Sequence, residues 1–146
     1  MRVVASDPMV AASSALWKET GVTCRTLDEL LAESDVVSLH VPLTADTRNL
    51  INAARLALMR PNAVLINSAR GGIIDESALA AALRAKRLGG AALDVFDVEP
   101  LLAGSPLADC PNLILTPHIA GVTAESNTRV SSMIAERVSA YLASAG

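Results

Sequence analysis

Aromatic residues are nearly absent from this 146-residue chain: one Trp, one Tyr and one Phe, 2% of the total. Aliphatic residues and alanine must therefore build the interior of a sequence that is 51% hydrophobic. Such a composition suits buried parallel strands covered by small-faced helices, and the length fits one domain with a real core. Cysteine is scarce too. Cys24 and Cys110 stand in unrelated contexts, with neither metal-ligand spacing nor a disulfide framework. They read as reduced thiols in a cytoplasmic protein, and no metal site is expected. Long apolar runs are missing: none approaches the ~20 residues of a membrane-spanning helix. Asp7 and Pro8 interrupt the N-terminal segment before a signal-peptide core develops. With a formal net charge of −3 and no long basic cluster, binding of nucleic acid through phosphate neutralisation is not expected. One or two local cations can still hold a small anion.

What is present is an alternation of short apolar runs and helical patterns. The strand candidates are Arg2–Ser6, Val22–Cys24, Val36–His40, Ala63–Asn67, Ala91–Asp94 and Leu113–Leu115. The helical candidates between them are Val10–Glu19, Leu27–Glu33, Asn52–Met59 and Asp75–Arg87, with a long terminal helix over Thr123–Ala143. Gly21 is a natural stop for the first helix. Thr26 and Glu29 have the spacing of a capping box for the second. Pro42 ends the third strand, because proline donates nothing to a ladder. Strand alternating with helix is the pattern of an α/β fold, a parallel sheet doubly wound by helices on both faces. In such sheets ligands bind beyond the carboxyl ends of the strands, which directs attention to the residues just after each apolar run.

Taken singly, those residues have ordinary explanations. Asp7 before Pro8 is a common turn starter, although an acid closing a strand of a dinucleotide-binding fold accepts hydrogen bonds from ribose hydroxyls. Ser68-Ala69-Arg70-Gly71-Gly72 could be a plain turn, or a loop whose glycines let backbone approach a ligand while Arg70 grips a carboxylate. Asp94 through Glu99 could be a solvated acidic loop. His118 is one of only two histidines. Histidine moves protons near neutral pH, but a loop histidine is more often structural, and His40 receives that reading. Together, however, Arg70, Glu99 and His118 each follow a different strand and should meet at one crevice.

The segments HVPLTADTRNLI (40–51), LINSARGGIIDESAL (65–79), GAALDVFDVEP (90–100) and LILTPHIAG (113–121) resemble the D-2-hydroxyacid dehydrogenase family, in its order and spacing. The tail over 121–138 is most similar to the phosphoglycerate and sulfolactate dehydrogenase branch. The resemblance implies a Rossmann-like NAD-binding domain and hydride transfer between NAD and a small D-2-hydroxy acid, with 3-phosphoglycerate as the first guess. Arg70 would bind the substrate carboxylate and help polarise its carbonyl, His118 would be the acid–base residue, and Glu99 its carboxylate partner. For the cofactor, the resemblance implies Asp7 at the adenosine ribose, favouring NAD over NADP. It implies Val41, Ser68, Ala69 and Arg70 along the nicotinamide half, Asp94 at the carboxamide, and His118 and Gly121 beside the ring. A homodimer is also implied.

The glycine-rich phosphate loop of such a fold does not occur in this sequence, nor does the strand that leads into it. The expected sheet is therefore incomplete, with the strands Arg2–Ser6 and Val36–His40 left without the neighbour that normally separates them. Residues 1–121 are read as a partial dinucleotide-binding domain. Residues 122–146 are read as a helix that would return to a substrate domain. On this reading the chain is a fragment of an oxidoreductase and is inactive alone. The rival reading, a dinucleotide-binding regulatory or scaffold module without catalysis, has no use for an acid–base pair.

Overall fold

The structure, a computed structural model, describes residues 1–144. In chain order the strands are β1 (Val4–Ala5), β2 (Thr23–Cys24), β3 (Val36–Leu39), β4 (Val64–Asn67), β5 (Gly90–Leu93) and β6 (Leu113–Leu115). The helices are α1 (Ala15–Thr20), α2 (Leu27–Glu33), α3 (Ala53–Leu56), α4 (Glu76–Arg84) and α5 (Ala124–Ser144). Every strand pairing is parallel, as the strand–helix alternation requires.

The strands form two sheets. One is the pair β1–β2; the other runs β3-β4-β5-β6 in sequence order. Among the described residues no ladder joins β1 to β3. The two sheets are linked instead through α2. Its Glu33 accepts from Arg2 and from Arg25, each at 2.9 Å. The α2 capping box forms as the sequence suggests. Thr26 accepts from the Glu29 amide, and Glu29 accepts from the Thr26 amide.

Leu39, Leu65 and Leu93 from the larger sheet are buried against Leu31, Leu79 and Leu83 from the helices. The β4 and β5 register pairs Val64 with Gly90 and Asn67 with Leu93. Because the four strands are parallel, their carboxyl ends share one edge. The loops opening at His40, Ser68, Asp94 and Thr116 therefore rise side by side. The segment after β5 is tied down by Arg84 of α4, which donates to the Pro106 and Ala108 carbonyls at 2.8 and 2.9 Å.

Several boundaries differ from the sequence expectation. The helix expected at Val10–Glu19 begins only at Ala15, because Ser14 caps it by accepting from the Leu16 amide. The residues before it form turns, including one in which Asp7 accepts from the Met9 amide at 2.8 Å. The helix expected over Asp75–Arg87 runs Glu76–Arg84, with Asp75 as its cap. It stops short because Lys86 adopts a left-handed φ of 54°. Asn52 likewise caps α3 rather than belonging to it. The terminal helix is shifted by one residue. The end of the expected 122–146 segment, residues 145–146, lies outside the described residues. α5 buries none of its side chains, leaving Met133, Ile134, Val138 and Tyr141 exposed. No described helix is long and apolar enough to cross a membrane.

Candidate active site

Glu99 and His118 arrive from loops after adjacent strands, β5 and β6, and they meet. Nδ1 of His118 and Oε2 of Glu99 are 2.7 Å apart. The other carboxylate oxygen of Glu99 accepts from the Phe96 amide at 2.9 Å, so the acid is fixed from two sides. Those two contacts, His118 first, hold the Glu99 carboxyl below its ordinary value of 4.5. Both side chains remain partly open to solvent. They line an open cavity of about 610 Å³ together with Phe96, Pro100, Leu115 and Thr116. The ring therefore has a fixed partner on Nδ1, while Nε2 makes no hydrogen bond among the described residues.

The backbone that presents His118 is held in an unusual shape. His118 has a φ of 55°, in the left-handed region, which costs a non-glycine residue ~1–2 kcal/mol. Asp94, buried at the end of β5, compensates. One of its carboxylate oxygens accepts from Thr116 Oγ1 at 2.5 Å and from the Ile119 amide at 2.9 Å. The other accepts from the Ala120 amide at 2.8 Å. Residues on both sides of His118 are thus tied to one carboxylate. Burial pushes the Asp94 carboxyl up, but these hydrogen bonds, with the nearby His118, outweigh it and leave the group below its ordinary 3.8.

Arg70 lies at the neighbouring loop, after β4. Its side chain is exposed and Nη1 donates to the Ala69 carbonyl at 2.6 Å. It is not part of the wall of the His118 cavity. The next residue, Gly71, explains how the Arg70 loop seats against the Glu99 loop. A Cβ there would lie 1.7 Å from the Phe96 carbonyl oxygen, so only glycine permits this approach. Val41 and Ala69 are half-buried against the core, whereas Ser68 and Gly121 are exposed. Asp7 stands apart, two residues beyond the end of β1 in the smaller sheet. His40 pairs with Ser38 at 2.9 Å, in line with its ordinary reading.

Two residues with a part in this geometry were not singled out from the sequence. Thr116 donates to Asp94, and its carbonyl accepts from the His118 amide at 3.0 Å. Asn67 closes the VLIN strand and is 1% exposed. A polar residue ending an otherwise apolar run, directly before a functional loop, was the available signal for it.

Val41, Ser68 and Ala69 stand at the carboxyl edge of the larger sheet, the edge beyond which such folds bind a dinucleotide. Asp7 has Oδ1 taken by the Met9 amide, while Oδ2 has no partner among the described residues.

A parallel sheet with helices, its loops gathered at the carboxyl ends of the strands, is the arrangement of a nucleotide-binding α/β domain. Comparison with known proteins gives the family. Residues 1–120 match the model of the D-isomer specific 2-hydroxyacid dehydrogenase NAD-binding domain, and the chain belongs to that family. The chain is 54% identical over 138 residues to the (S)-sulfolactate dehydrogenase of Chromohalobacter salexigens, covering 94% of this chain and 44% of that protein. It is 46% identical to the D-3-phosphoglycerate dehydrogenase of a Synechocystis species, over 94% of this chain and 24% of the relative. Among solved structures, the D-lactate dehydrogenase of Aquifex aeolicus, complexed with NAD and lactic acid, superposes with a TM-score of 0.82 at 36% identity. That match covers 99% of this chain and 47% of the other. The chain thus spans less than half the length of these relatives.

Proposed function

We propose that this chain is the larger part of the cofactor domain of an oxidoreductase that moves a hydride between NAD and a small D-2-hydroxy acid. The observation that carries the reading is the Glu99–His118 pair, 2.7 Å apart at the carboxyl edge of the sheet. A regulatory or scaffold module has no need of such a pair.

In the reductive direction His118 gives a proton from Nε2 to the carbonyl oxygen of a 2-oxo acid, and in oxidation it takes that proton back. Bound NAD is the partner that supplies or accepts the hydride. Glu99 keeps the ring oriented through Nδ1 and stabilises its charged form as the proton moves. Arg70 swings from the Ala69 carbonyl to grip the substrate carboxylate with two parallel hydrogen bonds, and helps polarise the carbonyl. Asp94 supports the nicotinamide side, both at the carboxamide and by holding the His118 backbone. Val41, Ser68, Ala69 and Gly121 contribute the remaining wall. Asp7 accepts from the adenosine ribose, and its charge disfavours a 2′-phosphate, hence NAD over NADP.

The favoured substrates are hydroxy acids with a second anionic group. This choice is supported by the likeness to a sulfolactate and a phosphoglycerate dehydrogenase, with 3-phosphoglycerate the first to try. Residues 1–121 form the partial cofactor domain, and 122–146 lead back to a substrate domain supplied by further sequence. The 146-residue chain by itself is a fragment and turns over nothing. The complete enzyme is a cytoplasmic homodimer. The test is His118→Ala in the complete enzyme, which should lower turnover by roughly 10²–10⁴-fold while NAD binding is kept. Unchanged turnover removes His118 from the acid–base role.

A further inference from the structure

Two residues, Asn67 and Asp94, are the buried polar residues among those described. They close neighbouring strands, β4 and β5, and they touch through the main chain: the Asp94 amide donates to the Asn67 carbonyl at 2.9 Å. Asp94 reaches across to the loop after the next strand, β6, which bears His118. Asn67 turns its side chain back onto the loop that follows its own strand, the one bearing Arg70.

The Asn67 contacts use both ends of its amide. Oδ1 accepts from the Ala69 amide at 3.0 Å, and Nδ2 donates to the Arg70 carbonyl at 2.9 Å. The turn Asn67–Arg70 is therefore closed by one side chain that must be acceptor and donor at once. Aspartate supplies only the acceptor, and alanine supplies neither. Burying a polar side chain is costly unless its hydrogen bonds are made, and no buried side-chain nitrogen or oxygen among the described residues is left without a partner. The far end of the turn is fixed as well, because Gly71 packs directly on the Phe96 carbonyl and the Phe96 amide is held by Glu99. The backbone carrying Arg70 is thus clamped between Asn67 and the loop that carries the partner of His118.

We propose that Asn67 is a positioning residue for Arg70: its buried amide fixes the backbone from which the guanidinium reaches the substrate carboxylate. It touches neither substrate nor cofactor and acts through Arg70. The inference rests on the functional reading above, in which Arg70 binds that carboxylate.

The experiment is a double-mutant cycle in the complete enzyme, with Asn67→Ala, Arg70→Ala and the combination, and Asn67→Asp as a second single variant. KM for the 2-oxo acid, KM for NADH and kcat are measured for each. Misplacing a positioning group by about 1 Å can cost ~10²-fold. Asn67→Ala and Asn67→Asp should therefore raise the 2-oxo acid KM or lower kcat by about 10- to 100-fold, with the KM for NADH within about twofold of wild type. In the Arg70→Ala background the Asn67 substitution should change either constant by less than about twofold, since coupled residues are non-additive. Additive losses, or an equal rise in the KM for NADH, overturn the proposal and make Asn67 a general structural residue. If Asn67→Ala fails to fold, the cycle is run with Asn67→Asp, which keeps the Ala69 contact. A wild-type enzyme that reduces no 2-oxo acid overturns the functional reading and this inference with it. Normal wild-type turnover with additive variants overturns the inference alone.

Discussion

Glu99 and His118 are 19 residues apart in sequence, yet Oε2 of one lies 2.7 Å from Nδ1 of the other. Adjacent parallel strands make this possible, because β5 and β6 end on the same edge and each releases its loop there. The pair should be separable by substitution. In the complete enzyme, Glu99→Gln keeps the shape but removes the charge. It should lower kcat by at least tenfold, with little change in NAD affinity, since a nearby carboxylate stabilises the charged imidazole. Wild-type kcat in Glu99→Gln would mean that the carboxylate takes no part in the chemistry.

The carboxyls at this edge respond to pH in a direction fixed by their contacts. Asp94 and Glu99 both lie below their ordinary values. For a depressed carboxyl, the stabilisation is fully present above the unfolded-state value and is lost as pH falls through the lower folded-state value. The loop carrying His118 should accordingly stay closed at pH 5 and open only below the ordinary range. The amide chemical shifts of Ile119 and Ala120, both donors to Asp94, should titrate with a midpoint below 3.8. A midpoint above that value would mean that the clamp does not form in solution.

Gly71→Ala tests the seating of the Arg70 loop. The added Cβ would meet the Phe96 carbonyl oxygen at 1.7 Å, and backbone cannot step aside as a flexible side chain would. Forced overpacking of this kind costs about 1–3 kcal/mol, to be read from urea unfolding of the wild-type and variant chains. Substrate affinity of the complete enzyme should fall as well, because the clash separates the segment carrying Arg70 from the loop carrying Glu99. Wild-type stability in Gly71→Ala would contradict the packing described here.

Asp75 serves the fold rather than the site. Its side chain accepts from the Ala78 amide at 2.9 Å and starts α4, the helix that brings Leu79 and Leu83 into the core. Asp75→Ala should cost roughly 0.5–2 kcal/mol of stability. In the complete enzyme kcat should be unchanged at temperatures where the variant is folded. A matching loss of kcat there would show that the cap also shapes the site.

Much of the fold was legible because parallel strands advertise themselves as short apolar runs. Glu99 and His118, each picked as a residue following a strand, come together, whereas Arg70 stays outside the cavity wall they line. The α2 capping box was legible from its Thr–Glu spacing. Helix starts were less legible. Ser13 and Ser14 look alike in the sequence, and it is Ser14 that caps α1 by accepting from the Leu16 amide. The second task of Asp94 was also hidden. A strand-ending aspartate looks equally suited to a ligand or to a loop, and its bonds to Ile119 and Ala120 span 25 and 26 residues. Asn67 was masked by its own strand, where it reads as the last residue of an apolar run rather than as the first residue of a functional turn.

The most direct test of the proposed function is calorimetric titration of NAD into two proteins: this 146-residue chain, and a version extended upstream by a strand and a glycine-rich loop. The extended protein should bind NAD, more tightly than NADP, while the short chain should bind neither measurably. Two folded proteins that both ignore NAD would contradict the cofactor assignment and remove the main support for the dehydrogenase reading.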